Sequence, residues 1–371
     1  MTETRTAALP ALAELTTMRV GGYPRALVSP TTEAELIEVA TELWASDEPS
    51  LILAGGSNTV ASDDGFDGTV LHVVTRGIEM LDAPEGEVRL RVQAGEPWDD
   101  VVAHAVAHGW AGIEALSGIP GSTGAVPVQN VGAYGQEVSS ALVAVDVLDA
   151  DSLELRRLEA SDLALSYRDS IFKHGYRGLI TAVELRLTQV GTDASAEGAP
   201  VAYAQLASAL GVALGDRVPL SAAREAVLAL RRAKGMVLDA ADPDTFSAGS
   251  FFTNPIVPEP FALQLPGDVP RWPVAPQPAS QVDSAQPNGD PPPSSAPALV
   301  KLSAAWLIEH SGITRGFALP GSRAAVSSKH TLAITNRGGA TSREIIELAT
   351  FIQARVSNDF GINLQPEPVF A

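Results

Sequence analysis

Two periodicities run along this chain of 371 residues. Val88, Leu90 and Val92 alternate with Arg89, Arg91 and Gln93, the period of two that turns one face of a strand toward a core and the other toward water. Val143, Val145 and Val147 repeat the alternation, and Leu179 to Thr188 reads the same way. Leu36, Ile37, Val39, Ala40 and Leu43 instead gather on one helical face. That helix opens at a capping box, Thr32 to Glu35, whose side chains satisfy the first free N–H groups. Leu51 to Ala54 is a short apolar strand running into Gly55-Gly56-Ser57-Asn58. Pro97 and Gly109 bracket another helix, proline at the start and glycine at the end. Ser221 opens a helix that ends near Gly235. Residues 300–310 and 342–360 also read as helices, the second with a capping box at Thr341–Glu344 and a stop at Gly361. Thr331 to Thr335 reads as a strand.

Strand and helix alternate in the first part, strands dominate the middle, and the last part mixes both. The expectation is an α+β protein, and the length favours two or three domains. Residues 270–298 break the pattern, with nine prolines in 29 positions among Ser, Gln, Ala and Asp. Such a composition buries too little apolar surface to offset its ordering entropy. It is read as a flexible surface insertion, because the helical pattern resumes at 300.

Composition narrows the chemistry. With no cysteine there is no disulfide, thiolate metal site or cysteine nucleophile. No apolar run approaches the ~18 residues of a membrane span, and the first residues lack a basic stretch followed by an apolar one. A cytoplasmic location without membrane insertion is expected. A net charge of −19 repels nucleic acid and anionic membranes. An anionic small molecule would need a local cradle, which Arg168, Lys173 and Lys234 could form. Only four lysines exist, and Lys301 reads as a solvated surface group, with Lys329 evenly balanced.

Several stretches carry candidate chemistry. Gly55 to Asn58 follows a strand and could cradle a phosphate on backbone N–H groups; alone it is as easily a plain turn. Ser117-Gly118-Ile119-Pro120-Gly121-Ser122-Thr123-Gly124-Ala125 is longer and free of acidic residues, which suits a pyrophosphate. Neither matches the dinucleotide or P-loop signatures. Tyr167-Arg168-Asp169-Ser170-Ile171-Phe172-Lys173 packs an aromatic hydroxyl, two cations, a carboxylate and a hydroxyl together. Ser250 lies between Gly249 and two phenylalanines, and Glu367 lies between two prolines. Taken singly, Arg168 is compatible with a surface salt bridge, Ser250 with a cap, and Glu367 with an exposed strand end. His104 and His108 have helical spacing but no glutamate after His104, so they read as surface histidines and no metal is expected.

Together these segments resemble the UDP-N-acetylenolpyruvoylglucosamine reductase (UDP-N-acetylmuramate dehydrogenase) family, in the form with a substrate-binding tyrosine loop. The resemblance rests on Thr17 to Gly22, Ala54 to Asn58, Leu116 to Ser122, Gln129 to Gly135, Tyr167 to Lys173, Gly249 to Pro255, Ala304 to Ile308 and Pro366-Glu367. These blocks occur in family order and span nearly the whole chain. The resemblance implies a flavoenzyme of peptidoglycan precursor synthesis with a vanillyl-alcohol oxidase type FAD-binding fold. Its two FAD-binding subdomains would cover 1–75 and 76–215. A substrate-binding domain would follow at 216–365, and 366–371 would return to the active site. FAD would lie on Gly55, Gly56, Ser57, Asn58, Ser117, Gly118, Ile119, Gly121, Ser122 and Gly132. NADPH would supply the electrons to reduce UDP-N-acetylglucosamine enolpyruvate, by hydride from flavin N5 to the enolpyruvyl methylene.

By the same resemblance, Ser250 would give the proton, and Arg168 and Glu367 would stabilise the enolate. Tyr134, Tyr167, Tyr203, Lys234 and Asn254 would contact substrate. An enolate carbon is basic enough to take a proton from a neutral hydroxyl. A fixed cation beside its carboxylate lowers the barrier electrostatically. The chain is expected to be monomeric. Two departures stand out: some members carry glutamine near Lys329-His330, and the proline-rich insertion lies outside the common pattern. A carbohydrate oxidase of the same fold, or a catalytically inactive nucleotide-sugar binder, are the competing readings. The Ser250 and Glu367 motifs count against both.

Overall fold

A computed structural model describes residues 9–46, 48–274 and 298–371. Three parallel strands come first, with Phe66–His72 between Pro24–Val28 and Ser50–Leu53. The helix Glu33–Ala45 makes the crossover, and both sides of its capping box form, with Thr32 accepting from the Glu35 amide. The middle of the chain is a larger antiparallel sheet. Its order is Leu155–Glu159, Leu142–Asp149, Gly178–Gln189, Glu87–Gln93, Ile78–Leu81, and Trp110–Ala111 joins Gly178–Gln189 at one end. Val88, Leu90 and Val92 are buried while Arg89, Arg91 and Gln93 are not, as their alternation requires. The helix Trp98–Ala107 covers this face, with Trp98, Val101, Val102 and Ala105 wholly buried.

The last part holds a three-stranded antiparallel sheet, Ile256–Pro258, Leu299–Leu302 and Arg271–Val274, and the pair Ala324–Val326 with Ile334–Asn336. The helix Ser342–Phe360 lies against that pair and buries Ile345, Leu348, Ile352 and Val356. Its box at Thr341–Glu344 and its left-handed Gly361 stop both form.

Three local readings need correction. The helix expected over 300–310 begins only at Ala304, because the Ser303 side chain caps the Trp306 amide. Residues 299–302 are instead the central strand of a sheet. The insertion expected over 270–298 is partly regular, since Arg271–Val274 pairs with that strand; the remainder lies outside the described residues. Pro219, not Ser221, is the cap of the helix Leu220–Ala233.

The hydrophobic cores cross the expected domain limits. Met18, Val20 and Val60 pack into the C-terminal core with Phe251, Phe252 and Leu307. The helices Ala204–Leu210 and Leu220–Ala233, on either side of 215/216, share one core with Ala115 and Val201. Among the described residues no helix is long and apolar enough to cross a membrane.

Candidate active site

The extreme C-terminus joins two segments that are far apart in sequence. Glu367 N donates to Phe251 O at 2.9 Å and Thr253 N to Gln365 O at 3.1 Å, so 365–367 runs antiparallel beside 251–253. Phe251 and Phe252 are buried with their rings 5.3 Å apart, and they anchor the turn that presents Ser250. Two residues further on, Val369 N donates to Asn58 O at 2.9 Å, and Asn58 Nδ2 donates to Glu367 O at 3.1 Å. The strand Val369–Phe370 then runs parallel to Thr59–Val60. One short segment therefore ties the first glycine-rich loop to Ser250 and places Glu367 between them.

Arg168 arrives from a third direction. Ser166 and Asp169 exchange backbone hydrogen bonds at 3.2 Å, and Arg168 stands at the apex of that turn with φ +56°. Its Nη2 donates to Gly132 O at 2.7 Å and its Nη1 to Asn130 O at 3.3 Å, while Nε lies 3.4 Å from Glu367 Oε1. Among the described residues six other than glycine have positive φ, and three of them, Asn130, Tyr134 and Arg168, meet here. Backbone strain of this kind costs roughly 1–3 kcal/mol per residue, and such residues cluster at functional sites. Asn130 holds the strained corner by donating to Ser166 O at 2.8 Å.

Arg168 and Gly132 line a cleft of about 540 Å³ that also contains Tyr134, Tyr167, Tyr203, Lys234, Ser250 and Asn254, while Glu367 is not part of its described wall and adjoins it through Arg168. Every residue expected to touch substrate is therefore in one place. The Tyr134 and Tyr203 rings meet edge to face at 5.7 Å, with Tyr203 45% exposed. Lys234 Nζ lies 5.5 Å from the Tyr134 ring and donates to Gln205 at 2.9 Å. Burial, helped by Arg231, pulls the Lys234 pKa down. Burial pushes Tyr167 up, against the pull of Arg168. Burial also pushes Glu367 above the ordinary carboxylate value, although Arg168 and Lys173 oppose it. A carboxyl that keeps its proton to higher pH can donate as well as accept.

A second cleft, of about 220 Å³, runs along Gly55, Gly56, Ser57 and Asn58. Its other walls come from Gly124, Ala125 and Gln129, with Val73, Leu179 and Phe172 supplying apolar surface. Among the described residues no acidic side chain lines it. The two glycine-rich loops touch: a Cβ on Gly55 would stand 2.7 Å from Gly121 Cα and 2.9 Å from Ser122 N. Exposed backbone with apolar flanks suits a long molecule that has an anionic middle and aromatic ends, as FAD does.

The second loop is only partly turned to this cleft. Ser117 Oγ donates to Glu114 O, and Gly118 N donates to Asp99 Oδ1 at 2.6 Å. Ile119 is packed against the middle core. Gly121 O accepts from Trp98 N, and Ser122 is buried. Gly132 lines the larger cleft beside Arg168 and Ser250 instead.

Three cleft residues escaped the sequence. Lys301, expected at the surface, places Nζ 4.4 Å from the centre of the Tyr167 ring. Its signal was hidden because 300–310 read as a helix. Arg231 donates to Met236 O at 2.8 Å, and its buried Nε has no partner among the described residues. Burial lowers its pKa to about 10. His330 also faces the cleft, where burial and the nearby Lys234 and Arg315 lower its pKa to about 4. Among the described residues no cluster of His, Asp and Glu is arranged to hold a metal ion.

Comparison with known proteins decides the family. Residues 242–371 match the model of the UDP-N-acetylenolpyruvoylglucosamine reductase C-terminal domain, and 24–156 match an FAD binding domain. The UDP-N-acetylenolpyruvoylglucosamine reductase of Leifsonia xyli is 57% identical over 97% of both chains. The chain belongs to the UDP-N-acetylenolpyruvoylglucosamine reductase family. The Salinispora arenicola enzyme of the same name is 46% identical over 96% of this chain and 93% of its own. The crystal structure of the Thermus caldophilus enzyme, 22% identical, has the same fold, with a TM-score of 0.60 over 97% of each chain. The family consists of FAD-dependent oxidoreductases of peptidoglycan synthesis that use FAD and NADPH. This fold is α+β, an FAD-binding part followed by the family's C-terminal domain.

Proposed function

We propose that this chain reduces UDP-N-acetylglucosamine enolpyruvate to UDP-N-acetylmuramate with NADPH as reductant, using Ser250, Arg168 and Glu367 as its catalytic residues. Bound FAD would supply the hydride chemistry, with NADPH as its reductant and the enolpyruvyl methylene carbon as the acceptor. Gly55 to Asn58 and the adjoining Gly121-Ser122 turn would hold its pyrophosphate, since the N–H groups of Thr123, Gly124 and Ala125 are already donated to Glu96, Ala94 and Ser122.

The protein's own residues handle the charge that results. Hydride addition to the methylene carbon drives negative charge onto the substrate carboxylate. Arg168 is fixed beside that position by Gly132 O, Asn130 O and Glu367, so it is organised before the charge develops and needs no rearrangement. Glu367, whose burial favours the protonated form, donates a hydrogen bond to a carboxylate oxygen, the substrate's own negative charge favouring that proton further. Ser250 Oγ gives its proton to the substrate carbon that bears the carboxylate, and that carbon is the stronger base. Tyr134, Tyr203 and Lys234 receive the nucleotide portion at the other end of the cleft. Tyr167 and Asn254 close the wall between them.

The observation that carries this reading is the C-terminal segment, which puts Glu367 beside the Ser250 turn and the first glycine-rich loop at once. The test is anaerobic. The FAD-loaded protein is mixed with NADPH and its flavin spectrum followed, then UDP-N-acetylglucosamine enolpyruvate is added. Bleaching by NADPH and recovery on adding the sugar are expected. Bleaching without recovery would sink the proposed substrate, and recovery by air with any free sugar would favour an oxidase.

A further inference from the structure

His330 sits on a loop that is held from behind by one carboxylate. Asp244 is buried on the single turn Pro243–Thr245. Its Oδ1 accepts from Ser327 Oγ at 3.0 Å, Ser328 N at 2.8 Å and Arg337 Nη1 at 2.8 Å, and its Oδ2 accepts from Ser328 Oγ at 2.5 Å. Ser327 Oγ in turn accepts from Lys329 N at 3.1 Å and His330 N at 3.3 Å. Asp242, on the same turn, takes the Lys329 ammonium. Burial pushes the Asp244 pKa up, but the Ser328, Ser327 and Arg337 partners win and hold it below the usual range.

The same turn fixes a second cleft residue. Gly235 follows Lys234, and a Cβ on it would stand 2.9 Å from Asp244 O. Asp244 thus backs both the loop that carries His330 and the helix end that carries Lys234. Those two side chains face the substrate cleft and also share an adjoining pocket of about 380 Å³ with Arg315 and Lys329. In a chain of net charge −19, the three cations Lys234, Arg315 and Lys329 outnumber the one carboxylate, Glu309, around this pocket beside the neutral His330, which favours an anion. Arg168 and Ser250 lie at the other end, so the anion here is the phosphate-bearing portion of the ligand.

We infer that Asp244 is a positioning residue for recognition of the nucleotide portion of the substrate, acting through His330, which it holds at the cleft wall by way of Ser327 and Ser328. The inference rests on the function proposed above. Four hydrogen bonds to partners 83–93 residues away do more than tie two loops together: they set the depth at which a neutral imidazole, low in pKa, enters the cleft. Loss of the carboxylate leaves Ser327, Ser328 and Arg337 without their acceptor and frees the loop, while Ser250, Arg168 and Glu367 stay in place.

The experiment uses the FAD holoenzyme with His330→Ala, Asp244→Asn, Ser328→Ala and the two double variants with His330→Ala. Binding of UDP-N-acetylglucosamine enolpyruvate to oxidised enzyme is read from the flavin absorbance, alongside KM and kcat. Asp244→Asn should raise Kd and KM on the order of ten-fold, with kcat changed less than about two-fold. Ser328→Ala should raise Kd and KM a smaller amount, about three-fold. Neither should weaken binding further in the His330→Ala background. Effects that multiply with His330→Ala, or a lowered Tm with KM unchanged, would overturn the inference. Should Asp244→Asn fail to fold, the Ser328→Ala cycle decides by the same criterion. Histidine ring NMR supplies a readout without substrate, since the chain has six histidines and His330→Ala assigns the signal. The His330 signal should shift in the Asp244 or Ser328 variant, and an unmoved signal would also overturn the inference. Failure of wild type to bind the sugar while that signal still moves would count against the proposed function alone.

Discussion

The two clefts are built from different materials. The cleft proposed for flavin is backbone and apolar wall: Gly55 and Gly56 on one side, Gly124 and Ala125 on the other, with no acidic side chain among the described residues. The substrate cleft is made of side chains, with Arg168, Arg231, Lys234 and Lys301 opposite Glu137 and Ser250, and it concentrates the strained backbone. The difference follows from the task. A resident cofactor has to be gripped, and peptide N–H groups in a glycine turn approach a pyrophosphate closely without side-chain entropy. A substrate has to be changed, which needs groups that can move protons and charge. The two sites should therefore fail in opposite ways, the first when an atom is added and the second when one is removed.

The largest effect should come from adding atoms. Gly55→Val places its Cβ and methyl groups into the backbone of Gly121 and Ser122, with no flexible side chain there to yield. The variant should purify colourless, with far-UV circular dichroism close to wild type and no activity on adding FAD. Deleting the Ser57 hydroxyl on the same loop should leave the yellow colour and the flavin spectrum intact. A yellow Gly55→Val protein would break the comparison. On the other side of it, Ser250→Ala should stay yellow and be bleached by NADPH at the wild-type rate. Its reoxidation by the enolpyruvyl sugar should slow ~10²–10⁴-fold, measured by anaerobic stopped flow.

This contrast also explains what could be read from the sequence. Backbone sites advertise themselves, because Gly-Gly-Ser-Asn after an apolar strand is visible as text. The second loop is less legible, because Ser117 and Gly118 direct polar groups to Glu114 and Asp99, and composition does not say which way an N–H points. Ser250 and Glu367 could be singled out because each sits in an unusual run. Their pairing through 251–253 and 365–367 is a contact across more than a hundred residues, and no local pattern encodes it. Lys301 was lost for a specific reason: Ser303 as a helix cap could not be told from a serine inside a longer helical stretch, so a sheet position was read as helix surface. Arg231 lies on an ordinary amphipathic helix and becomes unusual only because its buried Nε has no partner among the described residues.

A smaller effect sharpens the comparison through stability. Glu367 carries a raised pKa, set first by burial, so the folded protein prefers its protonated form. The sign follows from linkage: this preference favours folding fully below the ordinary value of 4.5 and is lost as pH rises through the raised value. Above that raised value, in the enzyme without substrate, the ionised carboxylate is a cost of the fold. Glu367→Gln should therefore melt about 1–3 °C above wild type at pH 7, with the gain fading as pH falls below 4.5, while turnover of the enolpyruvyl sugar drops. His330 has the opposite sign, because its pKa is lowered by burial to about 4. The stability it adds by being buried neutral is complete above its ordinary value of 6.5 and is lost as pH falls from there toward 4. Differential scanning at pH 4 and pH 7 on Glu367→Gln separates the two trends. A variant less stable than wild type at pH 7 would mean that the Arg168 contact, at 3.4 Å, outweighs desolvation.

The smallest effect concerns Lys301, whose ammonium sits over Tyr167 rather than beside a carboxylate. A cation over an aromatic face is worth about 0.5–2 kcal/mol, more where water is excluded. Here it has a second use: it props the ring of Tyr167, whose neighbour Arg168 stands at a strained turn. Lys301 reaches that position from the central strand of a three-stranded sheet, so its backbone is well fixed. Lys301→Met keeps the length and apolar body of the side chain and removes only the charge. Its KM for the enolpyruvyl sugar should rise about two- to ten-fold, with kcat nearly constant and FAD retained. Tyr167→Phe keeps the aromatic face, so the Lys301→Met effect should persist in that background. In Tyr167→Leu the face is gone, and the Lys301→Met effect should shrink toward nothing. If it stayed the same size in both, the lysine would be acting on the ligand directly, and the wall of the substrate cleft would be charged rather than propped.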